Sequence, residues 1–282
     1  MANTYSSAPS ASAPGPSGDT TVNNSVNNEA FRLQRLSSIA AQFEIRPDWI
    51  MRLRELESFD ICVVADDSGS MATPVKSSTN KNTNPYGAMQ TRWTELRQTL
   101  SIVVELGSAL NDNGVDVFFL NRPPVLQARS ARDVQPAFDH KPPQGFTPLT
   151  RVVSSILAAK VNSERNLLLL IATDGQPTDD RGNVDIPQFI STLKSKGPKV
   201  YVQIMACTDD DSAIAYLETV DKNVPRVDVT DDYHSERDEI LRAQGPRFPF
   251  SFGDYVVKSL LGSISPYFDQ MDHKEGGCCT IS

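Results

Sequence analysis

Oxygen-bearing side chains stand at three points of this 282-residue sequence where apolar segments meet polar turns. The segment 66–70, Asp-Asp-Ser-Gly-Ser, follows an apolar run that ends at Ala65, Asp174 follows a second run, and Thr147 precedes a helical pattern. Carboxylate and hydroxyl oxygens are hard ligands, of the kind that Mg²⁺ accepts while it keeps some of its waters. The pattern predicts a divalent-cation site that draws on the hydroxyls and on two or more of the carboxylates of these three segments.

Short apolar runs, rich in β-branched residues, alternate with helical patterns after Phe59 and would position these side chains. They cover residues 61–65, 115–120, 167–173, 200–206 and 227–230. Near-continuous apolar strands separated by helices predict a doubly wound α/β fold, in which a mostly parallel central sheet carries helices on both faces. Residues 125–128 add one short antiparallel edge strand. Ligands of such sheets bind at the carboxyl ends of the strands, where the predicted cation site lies.

Three motifs of the sequence together resemble a known site. The motif D-x-S-x-S at 66–70, the motif G-F-T-P-L at 145–149 and the motif T-D-G at 173–175 resemble the metal-ion-dependent adhesion site (MIDAS) of von Willebrand factor type A (VWA) domains. The resemblance covers residues 57–245 and implies a Rossmann-like VWA fold. The direct ligands of the ion would be Ser68, Ser70 and Thr147, and the ligands that act directly or through water would be Asp66 and Asp174.

The resemblance also implies a function. The cofactor would be Mg²⁺ or Mn²⁺, and a protein partner would present an Asp or Glu that completes the coordination of the ion. The chain would then be a non-enzymatic interaction module of the intracellular, copine-like type. It is too short for the two C2 domains of copines and has too few cysteines for the RING of ubiquitin-ligase relatives, so neither of their activities is expected.

Parts of the same pattern match other functions. The D-S-G motif at 67–69 matches the signature of aspartic proteases, but the sequence holds one copy and its α/β alternation disfavours that all-β fold. The acidic pair 66–67 resembles that of receiver domains, although Asn121 stands where the phosphoacceptor aspartate would be needed. Two alternatives stay open: a metal-dependent hydrolase that uses the acidic pair, and a scaffold with a vestigial metal site that binds through its N-terminal segment. Thr147-Pro148 equally fits a helix N-cap followed by proline.

The last four residues match a prenylation box. Cys279 is followed by Thr-Ile-Ser, and the terminal serine favours farnesyl. Because one lipid rarely anchors a protein firmly, Cys278 is the candidate for palmitoylation as a second signal. The predicted localisation is therefore cytoplasmic, peripheral on the cytosolic face of a membrane and held there by the lipid anchor.

The composition limits the partners and the organisation of the chain. The formal net charge is −8, and no basic cluster occurs that would favour a nucleic-acid partner. The sequence contains no apolar run of about 18 residues, so it predicts no membrane-spanning helix. The predicted organisation is a disordered Ser/Pro/Asn-rich tail at 1–28, a helical lead-in at 29–56, the main domain at 57–245, a C-terminal helix at 246–270 and a flexible tail at 271–282.

Overall fold

The computed structural model describes residues 20–75, 90–139 and 141–272, and their side chains from residue 29 onward. The strands are β1 (Phe59–Ala65), β2 (Val115–Phe119), β3 (Val125–Ala128), β4 (Asn166–Thr173), β5 (Val200–Ala206) and β6 (Val227–Thr230). The helices are α1 (Thr20–Gln42), α2 (Ile50–Leu53), α3 (Arg92–Leu110), α4 (Ala131–Asp139), α5 (Leu149–Lys160), α6 (Ile186–Lys194), α7 (Asp211–Asn223), α8 (Tyr233–Gln244), α9 (Phe252–Leu261) and α10 (Pro266–Asp269). Among these helices, none is both long and apolar enough to cross a lipid bilayer. The predicted lipidation sites, Cys278 and Cys279, lie outside the described residues.

The described strands form one sheet in the order β3-β2-β1-β4-β5-β6. All neighbouring pairs are parallel except β2 with β3, which is antiparallel. The prediction of a mostly parallel α/β sheet with one short antiparallel edge strand is confirmed. The central strands β1 and β4 pair from Phe59 with Asn166 to Ala65 with Ala172. Because the chain continues from β1 towards one edge of the sheet and from β4 towards the other, a crevice opens at their carboxyl ends.

Two hydrophobic layers cover the two faces of the sheet. Successive side chains of a strand point to opposite faces, so Ile61 and Val63 of β1 join one layer, and Cys62 and Val64 join the other. The first layer includes side chains of α1, α3, α4, α9 and α10, and the second includes side chains of α5, α6 and α7. Burial on both faces explains why the central strands are continuous apolar runs in the sequence.

The segment before β1 packs against the helices that follow β6. Helix α1 begins at Thr20, inside the segment predicted to be a disordered tail, and buries Leu36 in the first layer. Trp49 is fully buried, and its ring centroid lies 4.9 Å from that of Phe268 and 6.5 Å from that of Phe250. The predicted lead-in and the predicted C-terminal helix therefore belong to one hydrophobic cluster with β1 and α3.

Replacing Trp49 with alanine is expected to destabilise the fold strongly. The change removes a fully buried indole that packs edge-on against two aromatic rings. Truncations of this kind cost about 3–5 kcal/mol, and we expect that loss in the free energy of unfolding measured with urea. The control is Met51→Ala, since Met51 is 59% exposed; it should change the same quantity by less than about 0.5 kcal/mol. Equal effects of the two substitutions would contradict the described packing.

Candidate functional site

The three predicted motifs meet at the carboxyl ends of β1 and β4. The backbone N–H of Asp66 donates to the carbonyl of Ala172 at 2.9 Å, so the pairing of the two strands continues to the first acidic residue. The N–H of Gly69 donates to the carbonyl of Gly145 at 3.2 Å and joins the first loop to the second. Asp174 follows the last residue of β4. The structure thus brings together the segments that carry the five predicted ligands.

Asp66 is a fully buried carboxylate at the centre of this junction. Its Oδ1 accepts the backbone N–H of Ser68 at 2.8 Å, and its Oδ2 accepts the hydroxyl of Thr173 at 2.7 Å. Within the described part of the chain it has no salt-bridge partner, whereas Asp67 and Asp174 each have one. Burial and the negative charge of Asp174 raise the pKa of Asp66 to about 6. A positive charge beside this carboxylate would offset both effects.

The hydroxyls of Ser68 and Ser70 extend this junction to Asp174. Ser68 Oγ and Ser70 Oγ are 3.1 Å apart, and Ser70 Oγ donates to Asp174 Oδ1 at 2.7 Å. The second carboxylate oxygen of Asp174 lies 2.8 Å from Nη1 of Arg92, which forms an ion pair with it. Because the Ser70 proton is directed at Asp174, Ser68 is the donor in its contact with Ser70, and one lone pair of Ser70 is left for a cation.

Thr147 is held through its backbone in the loop before α5. Its N–H donates to the hydroxyl of Thr178 at 3.0 Å, and its carbonyl accepts the N–H of Thr178 at 2.9 Å. Helix α5 begins at Leu149 with Pro148 at the N-cap position, and none of the described side chains caps it. The interpretation of Thr147 as the helix N-cap is therefore wrong, and its side chain is free of that role.

Asp67, which is not among the predicted ligands, pairs with the residues that follow β2. Its Oδ2 lies 2.6 Å from Nε of Arg122, and its Oδ1 accepts the backbone N–H of Asn121 at 2.8 Å. Arg122 also donates to the carbonyl of Pro142 at 3.1 Å, and its guanidinium lies over the ring of Trp93, 4.7 Å from the centroid. The Asp67–Arg122 pair therefore positions the loop that leads from α4 to the Thr147 motif.

Sequence reasoning misses the groups that partner the carboxylates. Arg92 is the first residue of α3, and its Nη2 lies 2.5 Å from the hydroxyl of Thr208, so the guanidinium joins α3, β4 and the end of β5. Thr173 and Arg122 had a weak signal, since each stands at or just after the carboxyl end of a strand. Nothing in the spacing of the sequence singles out Arg92.

Comparisons with known proteins give no relative from which a role could be transferred. No protein-family model matches the chain, and no curated protein matches it. One similar solved structure is an aspartate-to-alanine mutant of the PilB minor pilin from Streptococcus sanguinis, with 12% identity and a TM-score of 0.47, over 76% of this chain and 62% of that one. Another is the pilus adhesin SpaC from Lactobacillus rhamnosus GG, with 19% identity and a TM-score of 0.43, over 72% of this chain and 31% of that one. The chain spans only part of either protein, and likenesses of this strength assign no function to it.

These likenesses contradict the identification of the chain as an intracellular, copine-like VWA-domain protein, because both matched proteins are pilus proteins. The predicted cytoplasmic localisation, with prenylated Cys279 and palmitoylated Cys278 on a membrane, is corrected on the same finding. The predicted function is wrong on the same ground: a cytosolic MIDAS module, tethered by a prenyl group, that binds the acidic side chain of a partner.

The electrostatics of the junction also depart from a simple adhesion site. Within the described residues, no group of three or more His, Cys, Asp and Glu side chains could hold a metal ion. Asp67 and Asp174 are each paired with an arginine. The assignment as a metal-ion-dependent adhesion site is therefore corrected. The five oxygen ligands, the Mg²⁺ cofactor, the absence of catalysis and the exclusion of nucleic acid as a partner stay predictions.

Gly145→Ala is expected to disturb the joint between the first two loops. Gly145 has a φ of +103°, and a Cβ there would lie 2.6 Å from Asn121 Oδ1. A strained backbone of this kind costs about 1–3 kcal/mol, and we expect that loss in the free energy of unfolding. In Gly175→Ala, the control, the new Cβ has nothing within 4 Å, so stability should be unchanged or slightly higher. A stable Gly145→Ala variant would show that the loop adapts.

Asp66→Asn is expected to stabilise the cation-free protein at neutral pH and to leave its stability unchanged in acid. The pKa of Asp66 is about 6 in the fold, above the value of about 4 for an unfolded aspartate. The wild type therefore loses stability as the pH rises from about 4 through 6, by up to about 3 kcal/mol, whereas the amide does not titrate. Urea unfolding in EDTA at about pH 4 and about pH 7.5 measures the difference.

The exposed Asp180→Asn is the control for this experiment, because the side chain of Asp180 is 70% exposed. It should change the free energy of unfolding by less than about 0.5 kcal/mol at either pH. A pH-independent effect of Asp66→Asn would contradict the assignment of a raised pKa to Asp66.

Proposed function

We propose that this chain is a non-catalytic binding protein that holds a divalent cation, Mg²⁺ or Mn²⁺, at the carboxyl ends of β1 and β4. The observation that carries the proposal is the fully buried carboxylate of Asp66, which has no counter-charge among the described residues and is joined to Asp174 through linked hydroxyls. Buried charges in proteins are paired or coordinate a metal ion, because an isolated buried charge costs too much free energy. A divalent cation would supply the charge that this carboxylate lacks.

The chemistry of the donors fits this kind of ion. Ser68, Ser70 and Thr147 offer neutral hydroxyl oxygens, and Asp66 offers the charged oxygens. Mg²⁺ prefers oxygen ligands and keeps several waters, so a site with few charged groups suits it. Asp174 would contribute through Ser70, whose hydroxyl it already orients at 2.7 Å.

Main-chain contacts give the donors a preformed arrangement. The contacts of Asp66 with Ala172 and of Gly69 with Gly145 hold the first loop against β4 and the second loop. The ion pair of Arg92 with Asp174 keeps the third segment in place. Binding would then require little reordering of the backbone, which favours affinity.

Addition of Mg²⁺ is expected to raise the temperature of unfolding in a saturable way, and EDTA is expected to reverse the change. A ligand that binds only the folded state adds about 2.7 kcal/mol of stability at a hundredfold excess over its Kd. Calorimetric titration of the wild type should give one site per chain. No heat and no thermal shift with Mg²⁺ or Mn²⁺ would overturn the proposal.

The variants Asp66→Asn and Ser70→Ala are expected to weaken cation binding by about tenfold or more, since each removes an oxygen ligand or its charge. Asp180→Asn is the matched control: its carboxylate is 70% exposed at the same edge of the sheet and pairs with Arg151. It should bind the cation as the wild type does. Equal loss in Asp66→Asn and Asp180→Asn would point to nonspecific screening of negative charge.

A further inference from the structure

A groove lies at the amino ends of β4 and β5, at the opposite end of the strands from the proposed cation site. It has a volume of about 430 Å³ and is bordered by the connection 161–165 before β4 and the connection 195–199 before β5. Volumes of about 300–1,000 Å³ are typical of sites for small molecules. Since the proposed cation site lies at the carboxyl ends of the strands, the groove is separate from it.

The wall of the groove is apolar. Leu157 of α5, Leu167 of β4 and Val200 of β5 line it, together with Pro198. Val161, directly after α5, also lines the groove and is 74% exposed. An aliphatic side chain of this size loses contact with water when an apolar group enters the groove, and this favours binding.

Two lysines bring positive charge to the groove, and within the described residues their hydrogen bonds go to backbone carbonyls rather than to charged side chains. The ammonium of Lys196 donates to the carbonyl of Pro225, and that of Lys199 donates to the carbonyl of Glu164 at 2.8 Å. Burial and the charge of Arg226 lower the pKa of Lys196 to about 8. An anion in the groove would offset both effects and restore the charged form.

The other two basic side chains of the groove already have carboxylate partners. Lys160 lies 3.2 Å from Asp116, and Arg165 lies 2.9 Å from Asp60. Glu164 is the acidic residue of the lining. In a chain with a formal net charge of −8, this groove therefore has the opposite sign.

We propose that this groove binds a small organic anion with an apolar body, of the class of medium-chain carboxylates. The chain of the ligand would pack against Leu157, Leu167 and Val200, and its carboxylate would pair with Lys196 and Lys199. Charge complementarity selects the anionic head, and the apolar wall selects the body.

The test uses octanoate as the probe and the full chain in calorimetric titration. Octanoate is expected to bind at one saturable site. Octan-1-ol has the alkyl chain without the charge, and butyrate has the charge with a shorter alkyl chain. Both are expected to bind at least about tenfold more weakly than octanoate. Amide chemical shifts of residues 161–165 and 195–200 should move with octanoate and locate the site.

The variant Lys196→Gln/Lys199→Gln is expected to bind octanoate about tenfold more weakly, because it loses both positive partners of the carboxylate. Glu164→Gln is expected to bind it more tightly, because the change removes a negative charge beside the anion. Lys222→Gln is the matched control, since Lys222 lies on α7 with a side chain that is 69% exposed. Circular dichroism verifies folding, and Lys199→Gln alone replaces the double variant where that variant does not fold.

Two results would overturn the proposal: equal octanoate affinity of the wild type and the lysine variant, or equal affinity for octanoate and octan-1-ol. Shift changes confined to the carboxyl ends of the strands would do the same, because octanoate would then bind elsewhere. The experiment requires no divalent cation, so its outcome is independent of the proposed function.

Discussion

The burial of Asp66 at the end of the central strand pair is the constraint on which the rest of the site depends. The backbone of Asp66 continues the pairing with β4, so its carboxylate is placed in the protein interior rather than in solvent. Its charge has to be met there by donors, and Ser68 and Thr173 meet part of that need. Across the crevice, the hydroxyl of Ser70 donates to Asp174, and Asp174 in turn forms an ion pair with Arg92.

The amino and carboxyl ends of the strands differ in the charged side chains that lie near them, for a reason that lies in the fold. In a parallel α/β sheet, the helices run antiparallel to the strands, so the helix C-termini lie near the amino ends of the strands. The partial negative charge of those termini favours lysines, such as Lys160 and Lys194 in the last turns of α5 and α6. Asp66 and Asp174 follow the carboxyl ends of β1 and β4. The lysines and these carboxylates therefore lie at opposite ends of the strands.

Much of the sheet was predictable because both faces of it are buried. The run 61–65 became most of β1, and the short segment 125–128 became the antiparallel edge strand β3. The ion pairs of the site were not predictable, because Arg92 and Asp174 are 82 residues apart and Arg122 and Asp67 are 55 apart. Such pairs depend on the docking of α3 and β2, for which the local pattern holds no signal. The family resemblance had the same limit, because its motifs contain the carboxylates but not the arginines that pair with them.

The packing of Trp49 against Phe268 has a consequence for where this protein can be divided. The sequence suggested a main domain between residues 57 and 245, with appendages on either side. In the structure the two flanking segments share one hydrophobic layer with β1 and α3, and Gly253 lies so close to Phe43 that a methyl group would not fit between them. Trimming the chain to the suggested limits would expose the inner face of that layer. The hydrophobic layer of the described residues therefore joins elements from α1 to α10, and a division at either suggested limit would cut through it.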